Sequence, residues 1–172
     1  ARAQGIEFES SENTFQAAIG KALKSRKLIF MDCYTEWCGP CKRLAKEVFS
    51  NDTVGAFFNK HFVCVKTDME KGEGPTLAKQ YQVNAYPTLL FIDPQTGQTA
   101  YRTVGAKSGI QWLMENAQVA LAPEKNLLGM ARNYQKHPQD AGIVEKYLSM
   151  LQVARLNALR DSVLNLYLDH IT

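Results

Sequence analysis

The sequence predicts an α/β protein: a mixed central sheet with helices on both faces, followed by a small all-α extension. Three observations carry this expectation. Strand-sized apolar runs alternate with helical periodicity as far as about residue 121. Two of these runs flank Asp93-Pro94-Gln95-Thr96-Gly97, whose turn chemistry makes them a β-hairpin. No strand signal follows Glu124. The resulting order, β-α-β-α-β-α-β-β-α and then helices alone, calls for a sheet of mixed direction covered on both sides.

Ile6-Glu7-Phe8-Glu9 alternates and predicts a short first strand, with Ser10 or Ser11 offered as N-cap to the helix behind it. Phe15, Ala18, Ile19, Ala22 and Leu23 recur at helical spacing and form one apolar stripe on a helix reaching about Lys24. Leu28-Ile29-Phe30-Met31-Asp32-Cys33-Tyr34 is almost continuously apolar, as expected of a central strand buried on both faces, and Asp32 is its exception. Leu44, Ala45, Val48 and Phe49 continue a helix that Asn51-Asp52 interrupts ahead of a second piece bearing Val54, Phe57 and Phe58. Residues 61–68 are another strand; residues 70–75 are polar and glycine-containing, a solvated surface loop, and Pro75 opens a short helix through Tyr81. Residues 87–92 and 99–104 form the hairpin, and a helix from Ser108 carries Ile110, Leu113, Met114, Ala117 and Leu121 on one side.

Pro123 marks a boundary, dividing the chain into residues 1–122 and a helical extension over 123–172. Leu127, Leu128, Ala131 and Tyr134 predict one helix ended by His137-Pro138. Two more are expected over residues 141–153 and 157–170, with Tyr147, Leu151, Leu159, Val163 and Leu166 as apolar positions. Helix pairs of this length resemble a tetratricopeptide-like hairpin, and the extension is a possible partner surface or packs back onto the first domain.

Composition excludes several classes. The 172 residues are 45% hydrophobic and 22% charged, a globular balance. A formal charge of +3 without a basic run gives no case for nucleic acid. The longest apolar runs are strand-sized, far short of the roughly 20 residues a membrane helix needs. Four cysteines are too few for a disulfide-framework protein of this length. Ala1-Arg2-Ala3 has the small-x-small form of a signal-peptidase site, so a periplasmic or otherwise exported protein is expected, with a cytoplasmic one as the alternative.

The chemistry concentrates at Trp37-Cys38-Gly39-Pro40-Cys41-Lys42. Two thiols three residues apart can close on each other where the second opens a helix. Pro40 suits a first helical turn, since its φ is already set and its missing N–H has no intrahelical partner there. Unpaired amides and the helix dipole at such a terminus favour thiolate over thiol at Cys38. Metal sites use the same spacing, but zinc would want two further ligands in matching positions. His61, His137 and His170 are scattered, and Cys33 and Cys64 lie within predicted strands, where they read as packed thiols. Packing alone is a third reading of the pair, and it needs less detail than the motif contains. Burial in a strand should raise the pKa of Asp32 and let it exchange a proton near neutral pH; a satisfied structural carboxylate is the plainer account.

The run Glu36-Trp37-Cys38-Gly39-Pro40-Cys41-Lys42, Asp32 six residues before Cys38, Tyr86-Pro87-Thr88 ahead of a strand, and Val104-Gly105 together resemble thioredoxin and its envelope relatives over residues 5–121. The resemblance implies a thioredoxin fold and a thiol-disulfide oxidoreductase acting on protein disulfides. It makes Cys38 the nucleophile, Cys41 the resolving thiol, Asp32 the proton acceptor for Cys41, and Pro87 a cis-proline facing the pair. Trp37, Gly39, Pro40, Tyr86, Thr88 and Gly105 would form the substrate contact. No metal and no cofactor beyond the redox-active Cys38–Cys41 disulfide is implied, and an upstream thiol donor would recycle it. Counting back from Asp68, Cys64 stands where the family places a lysine facing the aspartate, while Lys66 lies two residues on along the same face. A thioredoxin scaffold kept as a redox-sensitive adaptor, with the C-terminal helices as its partner surface, is the alternative function.

Overall fold

The computed structural model describes residues 5–10 and 14–171; the expected signal-peptidase site at residues 1–3 and the candidate cap Ser11 lie outside them. β1 (Leu28–Tyr34) is the central strand. It pairs in parallel with β2 (Phe62–Asp68) and antiparallel with β3 (Thr88–Ile92), and β4 (Thr99–Val104) adds to β3, giving the order β2-β1-β3-β4. Successive side chains of β1 alternate between faces. Ile29, Met31 and Cys33 join Val63, Val65, Leu90 and Ile92 under α1 (Phe15–Ser25) and Leu77 of α4 (Gly74–Gln80). Phe30 instead meets Cys64, Leu89 and Phe91 on the opposite face.

That second face is aromatic. Phe30 lies 4.8 Å from Phe58 and 5.2 Å from Phe91 between ring centroids. α2 (Gly39–Leu44), a π turn over Ala45–Phe49, α3 (Asp52–His61) and α5 (Gln111–Leu121) cover it with Leu44, Val48, Val54, Phe58, Trp112 and Leu113. Asn51 separates the two helical pieces after the cysteine pair by accepting the amides of Thr53 and Val54, an N-cap that starts α3.

Three local expectations are corrected. The strand over residues 6–9 reduces to one parallel bridge between Phe8 and Cys64. The Ile6 amide is drawn to the Phe49 carbonyl and that of Glu7 to Asn59, so the segment cannot continue a ladder. The cap of α1 is Thr14, whose hydroxyl accepts the Ala17 amide at 3.2 Å. α5 begins at Gln111, because Gly109 has φ +78° and interrupts any helix starting from Ser108.

Beyond Pro123 the chain is wholly helical among the described residues: α6 (Leu127–Lys136), α7 (Ala141–Val153) and α8 (Asn157–Ile171). Asn126 joins α6 to the body, accepting the Gly129 amide while its own amide group donates to the Ala120 carbonyl. Leu127, Tyr147, Leu151, Ala154 and Val163 form a separate core, and Met150 touches both it and the aromatic face of the sheet. The extension thus packs back onto the body. Leu159 and Leu166 on α8 stay exposed. No described helix is long and apolar enough to cross a membrane.

Candidate active site

β1 ends at Tyr34 and the chain turns through Thr35, Glu36 and Trp37 to Cys38, the N-cap of α2. Pro40 occupies the first helical turn, where no amide is needed. Cys38 and Cys41 form a disulfide with Cα atoms 5.3 Å apart. The Cys41 amide donates to Cys38 Sγ at 3.2 Å, and a backbone donor at a helix N-terminus favours thiolate over thiol. Both residues are nearly buried in the disulfide form, at 3% and 5% exposure. Among the described residues, no group of three or more His, Cys, Asp or Glu side chains is placed to hold a metal ion.

Trp37 stands beside the pair in sequence, 66% exposed, in a T-shaped contact with Tyr86 at 5.9 Å between ring centroids. Its indole N–H donates to both carboxylate oxygens of Glu70 at 3.0 Å. Lys71 pairs with Glu36 on the same side, and this holds the Glu36 carboxyl below its usual range. The segment after β2 is the exposed surface loop the sequence predicts, and from it Glu70 and Lys71 reach the turn that carries Cys38.

The Tyr86–Pro87 peptide is cis. Pro87 offers its carbonyl to the Gly105 amide at 2.8 Å. Gly105 has φ +88°, a region side chains disfavour, and a Cβ there would meet nothing within 4 Å, so its surroundings are open. Thr88 is buried and its hydroxyl donates to the Ala85 carbonyl at 2.7 Å. Gly39 also borders open space. The buried Arg102 donates from Nη1 to the Tyr81 carbonyl at 2.6 Å and from Nη2 to that of Gln82 at 2.9 Å. It fixes the backbone that leads into Tyr86. Arg102 and Glu70 are both absent from the residues the motif singles out.

Asp32 is 1% exposed and shares the sheet face of Phe30, the face that α2 covers. Burial lifts its carboxyl from 3.8 to about 7, an effect that the charge of Lys66 partly offsets. One carboxylate oxygen, Oδ1, has no hydrogen-bond partner among the described residues. The register places Cys64 opposite Phe30 and Lys66 opposite Asp32. Lys66 is thus the cation aligned with the aspartate, and its ammonium rests 4.7 Å from the Tyr34 ring centroid. Cys33 and Cys64 are reduced and buried on opposite faces of the sheet, where burial pushes both thiols far above the ordinary range.

A helix-capping Cys-x-x-Cys disulfide, laid at the end of a central strand with a buried carboxylate on the covered face, is a thiol-disulfide exchange site. The comparisons agree. Residues 10–94 match the family model described as thioredoxin-like. The solution structure of a Bacteroides thetaiotaomicron protein described as a disulphide-isomerase is 49% identical, with a TM-score of 0.60, and the match covers 70% of this chain and 97% of that one. A thioredoxin-like protein of Synechocystis is 34% identical over 95 residues, which are 55% of this chain and 83% of the relative. The rice protein disulfide isomerase-like 5-3 is 31% identical over 139 residues, 81% of this chain, and the match spans only 30% of that longer protein. This chain belongs to the thioredoxin-like family.

Proposed function

We propose that this chain is a protein-disulfide reductase. In the reduced enzyme the Cys38 thiolate attacks one sulfur of a substrate disulfide, forming a mixed disulfide and releasing the first substrate sulfur, which takes up a proton. Cys41 then gives its proton to ionised Asp32 and attacks Cys38 Sγ. The mixed disulfide breaks, the second substrate sulfur leaves and is protonated, and the enzyme is left as the Cys38–Cys41 disulfide. Two electrons pass to the substrate, and an upstream thiol donor returns them. Trp37, Tyr86, Pro87 and Gly105 form the ledge along which an extended substrate segment lies, with Gly39 and Pro40 at its edge. Thr88, expected from the sequence to touch substrate, is fully buried and supports the ledge through its bond to Ala85 instead.

The observation that carries this reading is the Cys41 amide on Cys38 Sγ, a donor that lowers the cost of the attacking thiolate. The Gly-Pro pair between the cysteines supports the reducing direction, as it resembles that of reducing thioredoxins, which work near about −270 mV. Insulin-disulfide reduction with a dithiol donor tests it. The chain should catalyse the reaction, Cys38→Ser should not, and equal rates for the two would end the proposal.

A further inference from the structure

A cleft of about 810 Å³ opens beside Cys41, and neither Trp37 nor Tyr86 lines it. Cys41 lines it together with Tyr34, Glu36, Lys42, Lys46 and Lys66. The charge balance is one-sided. Among the described residues the only carboxylate lining it, Glu36, is taken up by Lys71, which is not among the lining residues. Among the described residues none of the three lining lysines forms an ion pair. Their arrangement is also partly fixed: Lys42 and Lys46 project from α2 and the π turn four residues apart, and Lys66 is held over the Tyr34 ring. Three exposed ammonium groups outside any ion pair, with Lys66 and Lys42 acting only at a distance on Asp32 and Glu36, leave a concave surface beside Cys41 that favours anions.

We propose that this cleft is a recognition subsite for acidic side chains flanking the cysteine of a protein substrate. The inference rests on the reductase reading, and it adds a preference: substrate segments with Asp or Glu beside the disulfide are reduced ahead of those with Lys or Arg. Because the lysines are exposed, the preference weakens as salt screens them.

Two peptide disulfides, identical except for Glu or Lys on either side of the cysteine, test this with the full chain. Neutral hydroxyethyl disulfide serves as a reference. At low ionic strength kcat/KM for the Glu peptide should exceed that for the Lys peptide by about fivefold or more, falling toward unity in high salt. Lys46→Glu should bring the ratio below about twofold, and Lys46→Arg should keep it. Equal kcat/KM values for the two peptides, or a preference that Lys46→Glu does not move, would overturn the subsite. A second readout does not need turnover: a Glu peptide with Ser in place of Cys should shift the amide signals of Lys42, Lys46 and Lys66 in an NMR titration, and their staying still would also overturn it. If all three disulfides resist reduction while those signals move, the reductase reading fails and the acidic subsite stands.

Discussion

The turn between β1 and α2 and the interior of the sheet each hold two cysteines, and the two regions treat the same thiol in opposite ways. At the turn, Cys38 caps a helix and receives a backbone amide, and its neighbour three residues on is close enough to bond with it. In the sheet, Cys33 and Cys64 are enclosed by apolar side chains, their pKa values are pushed up by burial, and the sheet itself separates them. The two surroundings differ in what meets the sulfur: a backbone donor at Cys38, hydrocarbon at Cys33 and Cys64. Asp32 joins the regions, since it sits beside Cys33 in sequence yet lies on the face that α2 covers.

Removing the thiol to which the proposed mechanism gives the resolving step has the largest expected effect on this contrast. Cys41→Ser should lower turnover by on the order of a thousandfold or more, because the mixed disulfide on Cys38 cannot be resolved. Mass spectrometry should find the substrate bound to Cys38, and sustained turnover without an adduct would contradict the assignment. Asp32→Asn gives the next effect. A carboxyl lifted to about 7 keeps its proton in the fold at pH values where an unfolded aspartate has lost it. The native state therefore binds more protons between about pH 4 and 7, and wild-type stability falls as pH rises through that window. Chemical denaturation should show the variant gaining on the wild type across that range, by about 4 kcal/mol above pH 7, with the gain vanishing near pH 4. A pH-independent difference would mean that Asp32 is not buried as a titrating acid. The smallest effects belong to the sheet cysteines. Cys64→Val should cost less than about 1.5 kcal/mol and leave insulin reduction unchanged, whereas Cys64→Ser should cost about 1–3 kcal/mol through a buried hydroxyl. A loss of turnover in Cys64→Val would blur the division between the regions.

What the sequence makes legible is local. Apolar runs locate the four strands of the sheet, turn residues join β3 to β4, and periodicity brings out α6, α7 and α8. The motif around Cys38 marks the disulfide before any coordinates are known. What it hides depends on partners far along the chain. Alternation at residues 6–9 looks like a strand, but Phe49 and Asn59 capture its amides. Counting from Asp68 points to Cys64 as the residue facing Asp32, and only pairing with β1 puts Lys66 there, because a two-residue shift keeps the same face. Glu70 lies in a polar segment with no periodic signal, and its role comes from Trp37, 33 residues earlier. Arg102 reads as an ordinary strand residue until the carbonyls of Tyr81 and Gln82 are seen to receive it.

The proposed function makes one cysteine pair a working redox couple and leaves the other as inert packing. A redox titration of the full chain, with thiol trapping at each potential and mass spectrometry of the tryptic peptides, tests it directly. Cys38 and Cys41 should become labelled together in a single two-electron transition in the reducing range, near about −270 mV, while Cys33 and Cys64 stay unlabelled in the folded protein and are never found as a disulfide. Labelling of Cys33 or Cys64 in step with the pair, or a Cys38–Cys41 bond that stays closed across the range, would contradict it.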